Sequence, residues 1–108
     1  MELTLGKSFS GEDIIEGRVF LMVSRKVKIT NPTGLHLRAA GNLCKEAMLH
    51  KSMITFKYVG GTANAKSVLS VLGACVRCGD EIEFTCDGED ENEALEALVT
   101  AVENGLGE

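Results

Sequence analysis

His36 and Arg38 stand two residues apart in the stretch "GLHLRAA" at 34–40, directly behind a Gly-Leu step and at the head of an apolar-periodic segment. A neutral imidazole is a good nucleophile near pH 7 because its pKa lies close by. At the first turn of a helix it would stand beside backbone N–H groups that lack intrahelical partners, where the helix dipole favours negative charge. A phosphoryl group at such an end is held by N–H donors. Arg38 adds a fixed cation whose planar fork matches phosphate oxygens, and Gly34 lets the backbone turn tightly without a side chain in the way. Together these residue types make a site for a transiently phosphorylated histidine. The same histidine also reads as an ordinary first-turn residue that caps the helix or faces water, and the residues alone leave both readings open.

Ser67 carries a similar double reading. As a helix N-cap it is worth about 1 kcal/mol to the fold. As a phosphorylation site it would add nearly two negative charges at a helix N-terminus and repel an acidic partner docking beside His36. The segment "VLSVL" behind it offers Val68, Leu69 and Leu72 as an apolar docking patch, although a helix this apolar must also send part of its side chains into the core. His50 reads as a cation-capable residue near a helix C-terminus.

Four cysteines complete the set of reactive side chains. Cys44 and Cys86 fall on apolar stripes and read as small core residues. "CVRC" at 75–78 has the spacing of a redox pair or half a zinc site, but no second closely spaced Cys/His pair completes a metal site. It also follows an apolar helical stretch rather than opening a helix after a strand. No cofactor is expected.

The elements that must position these residues show in the hydrophobic periodicity. "RKVKIT" at 25–30 alternates, with Val27 and Ile29 on one face, and predicts a strand. "NPTG" at 31–34 is turn chemistry. From Leu37, the apolar positions Leu37, Ala40, Leu43, Cys44, Ala47 and Met48 predict a helix to about His50. "MITFKY" at 53–58 alternates through Ile54, Phe56 and Tyr58, and "TANA" at 62–65 returns as a short strand. Ser67 is placed to cap a second helix, and "EIEFTC" at 81–86 points Ile82, Phe84 and Cys86 inward. A last helix carries the stripe Ala94, Leu95, Leu98, Val99 and Val102, with Asp90 and Glu93 in capping-box spacing and Gly105 as its C-cap. The order βαββαβα predicts an α+β layer fold, a four-stranded sheet with helices covering one face and the other face left to water.

Composition narrows the class of function. The chain has 108 residues, 44% hydrophobic and 25% charged, which suits one globular domain. Its formal charge of −5 comes from 11 Lys+Arg against 16 Asp+Glu, so a nucleic-acid backbone would be repelled. The longest apolar run, "VFLMV" at 19–23, is too short to span a bilayer, and no secretory signal is apparent. A cytoplasmic protein with reduced thiols is expected.

Taken with that order, three stretches resemble a known family. "GLHLRAA" resembles the G-[LI]-H-x-R-P-A motif of HPr, the histidine phosphocarrier of the bacterial phosphoenolpyruvate:sugar phosphotransferase system. "AKSVLSVL" at 65–72 resembles its regulatory-serine segment, and "GEDENEAL" at 88–95 resembles the start of its last helix. The resemblance covers residues 22–108 and implies the family's open-faced β-sandwich: an antiparallel four-stranded sheet covered on one face by three helices. It implies that His36 accepts a phosphoryl group on Nδ1 from phosphorylated Enzyme I and passes it to IIA domains of sugar permeases, without being a conventional enzyme. Arg38 would stabilise the phosphate. Leu37, Val68, Leu69 and Leu72 would dock partners. Ser67 would be the target of an HPr kinase/phosphorylase, and the Ser-phosphorylated form would act with a catabolite control protein. An alternative within the same fold is a regulatory module that works through Ser67 alone, without sugar-uptake phosphotransfer. Two departures stand out. Ala39 replaces the family's proline, and Cys75 and Cys78 occupy a region where the family has a glycine and a polar residue.

Residues 1–21 lie outside the resemblance. One expectation is that translation begins at Met22. The other is a genuine arm, with Ser10 capping a short helix through "GEDIIEG" and "RVFLMV" extending the first strand or pairing with a second chain. The protein is expected to be a monomer unless that arm promotes dimers.

Overall fold

The computed structural model describes residues 22–107 in full and, before them, only the backbone of Ile14–Ile15 and Arg18–Val19. Those two short stretches pair antiparallel as strands, so the helix expected through 11–17 is not what Ile14 and Ile15 form. The rest of that expectation, with its Ser10 cap, lies outside the described residues.

From Val23 onward the predicted order holds. The sheet strands are β1 (Val23–Lys28), β2 (Met53–Tyr58), β3 (Gly61–Asn64) and β4 (Glu81–Asp87). The helices are α1 (Leu37–Met48), α2 (Val68–Gly73) and α3 (Glu91–Glu103), followed by a 3-10 turn at Gly105–Gly107. All strand pairings are antiparallel, in the order β1-β4-β2-β3. The last strand therefore threads between the first and the second.

Alternation decides which face is dry. Val27, Ile54, Phe56, Ile82, Phe84 and Cys86 are buried beneath the helices, as period-two patterning requires. Phe56 and Phe84 are direct cross-strand partners, their rings edge to face with centroids 5.9 Å apart, a favoured aromatic geometry. The opposite face is polar. Ser24 and Thr85 share a hydroxyl hydrogen bond of 2.9 Å across β1 and β4, and Glu83 sits opposite both Lys26 and Lys57. This is the open-faced β-sandwich. Helix α1 buries Ala39, Ala40, Leu43 and Ala47, and α3 buries Ala94, Leu95, Leu98, Val99 and Val102. Cys44 is only half buried, at the border of the α1 stripe and not inside the core. No helix among the described residues is long and apolar enough to cross a membrane.

Helix ends depart from the sequence reading in one instructive place. Asp90 is the α3 N-cap residue, but its side chain does not cap the helix. Its carboxylate instead accepts from the N–H groups of Lys51 and Ser52, both at 2.9 Å, and from the Ser52 hydroxyl at 2.5 Å. The loop after α1 needs those acceptors more than α3 does, because Ser52 is buried and its donors would otherwise be orphaned. His50 joins the same cluster, with Nε2 3.3 Å from Glu46 and Nδ1 3.7 Å from Asp90. At the other end of α3, Asn104 is the C-cap and Gly105 follows it at φ +86, the left-handed step that glycine adopts without strain.

Candidate functional site

The turn before α1 is built by a backbone bond and a close approach. Gly34 N–H donates to Asn31 O at 2.9 Å, and Leu35 N–H donates to Val76 O at 3.0 Å. Gly34 has φ +67, and a Cβ there would run into the Val76 carbonyl oxygen and lie 2.8 Å from Arg77 Cα. A glycine is therefore demanded twice, by its dihedral and by the approach of the α2–β4 loop. That loop is itself anchored: Ile29 N–H donates to Asp80 O at 2.8 Å, and Gly79 N–H to Ile29 O at 2.7 Å. Leu35 and Val76 are both buried beneath it.

His36 emerges from this fixed turn as the N-cap residue of α1, in extended backbone with φ −85 and ψ −169. Its carbonyl accepts from Ala40 N–H at 2.8 Å, and its exposed ring does not cap the helix. The N–H groups of Leu37, Arg38 and Ala39 have no acceptor one turn back within α1, as at any helix start. They are donors at the positive end of a 12-residue helix, on the residues that directly follow His36. Ala39 is wholly buried in this first turn.

A cavity of about 480 Å³ opens beside His36, lined also by Thr33, Leu35, Leu72, Cys75, Val76 and Arg77. Arg38, by contrast, is exposed on the first turn of α1 and does not line that cavity. Among the described residues lining the His36 cavity the formal cation is Arg77, which sequence spacing did not single out and which also borders a second hollow with Asp80 and Glu81. The signal was present in "CVRC", where attention goes to the thiols, but chain order cannot say that 41 residues after His36 the backbone returns to touch Gly34.

Ser67 caps α2 as expected: its hydroxyl accepts from Ser70 N–H at 3.2 Å. Of the apolar residues behind it, Leu69 is 82% exposed and Leu37 67%. Leu72 and Val68 are half buried, Leu72 packing against the core, and Val71 is buried. Cys75 and Cys78 are exposed free thiols, and Cys75 holds φ +54, the left-handed conformation that glycine adopts most easily. Cys86, deep in the sheet, has its thiol pushed up to about 11 by burial, with Asp90 and Glu91 adding to the effect. No cluster of His, Cys, Asp and Glu among the described residues could hold a metal ion.

Comparison with known proteins gives this geometry a family. Residues 23–104 match the family model described as the PTS HPr component phosphorylation site. The phosphocarrier protein HPr of Buchnera aphidicola subsp. Acyrthosiphon pisum is 40% identical over 77 residues, covering 71% of this chain and 91% of the relative. The HPr-like protein Crh of Bacillus subtilis is 37% identical over 82 residues, covering 76% and 96%. Among solved structures, HPr-C-His from Thermoanaerobacter tengcongensis superposes with a TM-score of 0.76 at 32% identity, over 80% of this chain and 97% of that one. By the family model, which matches most of the chain, and by these relatives and this structure, the chain belongs to the HPr family of phosphocarrier proteins.

Proposed function

We propose that this protein carries a phosphoryl group on His36, taking it from phosphorylated Enzyme I and delivering it to IIA domains of sugar permeases. The observation that carries the reading is the placement of the exposed His36 ring at the N-terminus of α1, above N–H groups without helical acceptors and beside a cavity. In the forward step a ring nitrogen lone pair attacks phosphorus. The new N–P bond forms as the bond from phosphorus to the donor breaks, the electron pair leaving with the donor. The first-turn N–H groups and the helix dipole then face a dianion. Arg38 adds positive charge to the exposed approach, where an incoming acidic partner would meet it. Leu37 and Leu69, both strongly exposed, supply the apolar part of the docking surface with Leu72 and Val68 at its edge. The carrier unit is residues 22–108, with residues 1–21 an extension to it.

A regulatory role for Ser67 is a second reading, favoured by the hydroxyl's position at the α2 N-cap on the surface that Leu69 shares. A phosphoryl group there would place two negative charges beside the docking patch and weaken a partner's approach. An HPr kinase/phosphorylase would be its writer and a catabolite control protein its reader.

Intact mass after incubation with phosphoenolpyruvate and catalytic Enzyme I, beside His36→Ala, tests the first reading. The expected result is one acid-labile phosphoryl group, absent from the variant. No gain, with another HPr phosphorylated in the same tube, overturns it and leaves the Ser67 reading in its place.

A further inference from the structure

Beside His36 lies a cavity whose one formal cation among the described residues comes from another part of the chain. Of the described residues lining that space, Arg77 carries a fixed positive charge and none carries a carboxylate. This is notable on a chain with 16 acidic residues against 11 basic ones. A comparable surface hollow over α3 is lined by Glu46, Glu93 and Glu96. Charge among the described residues lining the His36 cavity is thus suited to an anion, and Arg77 supplies it from outside the helix that carries Arg38.

The position of Arg77 is also fixed by backbone. Its N–H donates to Asp80 Oδ2 at 2.9 Å, and Asp80 N–H returns to Arg77 O at 3.0 Å. The neighbouring Leu35 to Val76 bond and the close packing on Gly34 set its loop against the His36 turn. Asp80 and Glu81 border a second hollow that Arg77 also lines; the Asp80 carboxylate is engaged with the Arg77 main chain, and no ion pair to the guanidinium forms among the described residues. Arginine is suited to such a place because its fork of N–H donors matches phosphate oxygens two at a time.

We propose that Arg77 is a phosphoryl-binding residue: when His36 carries its phosphoryl group in this cavity, the Arg77 guanidinium donates hydrogen bonds to the phosphoryl oxygens. The proposal rests on His36 as the acceptor, though not on which protein is the donor. Arg77 thereby favours the dianionic phosphohistidine, and the α2–β4 loop becomes part of the phosphoryl site.

The test loads the full chain with phosphoramidate, which needs no partner protein: its P–N bond breaks, ammonia leaves, and a new P–N bond forms to the imidazole. Phosphorus NMR then follows the second ionisation of the phosphohistidine with pH in the wild type, Arg77→Ala, Arg77→Lys and Arg38→Ala, with His36→Ala identifying the signal. Loss of a facing cation raises that midpoint. Arg77→Ala is expected to raise it by about one unit, equivalent to a tenfold weaker preference for the dianion. Arg77→Lys should keep most of the wild-type value, and Arg38→Ala should move it less than Arg77→Ala does. Should Arg77→Ala fail to fold, Arg77→Gln repeats the test with the side chain's length retained. A midpoint unchanged in Arg77→Ala, or one moved only by Arg38→Ala, overturns the proposal. If phosphoramidate loads His36 but Enzyme I does not, the donor reading fails while the Arg77 titration still decides. A chain whose His36 accepts from neither source overturns both.

Discussion

The Leu35 N–H donates to the Val76 carbonyl at 3.0 Å, and this one bond joins the turn that carries His36 to the loop that carries Arg77. Both residues are buried, so the bond is shielded from competing water and holds the two loops in one register. His36 and the cavity beside it are thus held together by segments far apart in sequence.

Gly34 is the position at which that arrangement is most easily broken. Alanine there would carry φ +67 and push a Cβ into the Val76 carbonyl and Arg77 Cα. Gly34→Ala is expected to cost about 2–3 kcal/mol and to slow phosphoryl uptake together with it, since the two loops must part. Urea unfolding measures the first effect and phosphoenolpyruvate-driven uptake the second. A variant of wild-type stability would mean that the approach of the loops is not needed.

Leu69 gives the opposite pattern. At 82% exposure it contributes little to the core, so Leu69→Ala should shift stability by less than about 0.5 kcal/mol. If it docks Enzyme I, its truncation should raise the KM for that partner about tenfold, as for an interface anchor worth over 1 kcal/mol. Steady-state phosphotransfer with an unchanged KM would remove Leu69 from the docking surface.

Asp90 makes stability depend on pH in a defined window. Its carboxyl is pulled down to about 2, first by the Ser52 hydroxyl, which outweighs the opposing effect of burial, and then by the Lys51 and Ser52 N–H groups. A depressed carboxyl stabilises the fold above its unfolded pKa, and that contribution disappears as pH falls through the folded value. Asp90→Asn should therefore be less stable than the wild type at pH 7, by about 2 kcal/mol for charged hydrogen bonds lost. The gap should close between roughly pH 4 and pH 2. Denaturant midpoints across that range would show it, and a gap independent of pH would contradict the assignment.

Gly41 lies inside α1, and a Cβ added there meets nothing within 4 Å. Gly41→Ala should stabilise the protein by about 0.5–1 kcal/mol through reduced backbone entropy in the unfolded chain. A rise in Tm without loss of phosphoryl uptake is the expected outcome. A fall would mean that the site needs the looser helix start.

Much of the fold can be read along the chain because local periodicity and tertiary burial agree. The alternation of Ile54 and Phe56 with Thr55 and Lys57 marks a strand with one wet face, and the stripe from Ala94 to Val102 marks a covering helix. His36 is legible for the same local reason: a Gly-Leu step, a histidine and an apolar helix are contiguous, so chemistry and geometry are written in neighbouring residues. The Ser67 cap is equally local, three residues from the N–H it receives.

Three features were decided only by the fold. Asp90 stands in capping spacing, yet its carboxylate is claimed by Ser52, 38 residues away, because a buried donor outweighs an exposed helix end. Cys44 keeps the period of the α1 stripe but sits at its border, since the width of the buried face depends on what packs against it. Arg77 reaches the His36 cavity only because β4 threads between β1 and β2 and brings its preceding loop against Gly34. Periodicity encodes which residues turn inward, through a few residues' reach of hydrogen bonding and side-chain spacing. Which distant loops then touch depends on strand order and close packing, properties of the whole chain that no short stretch contains.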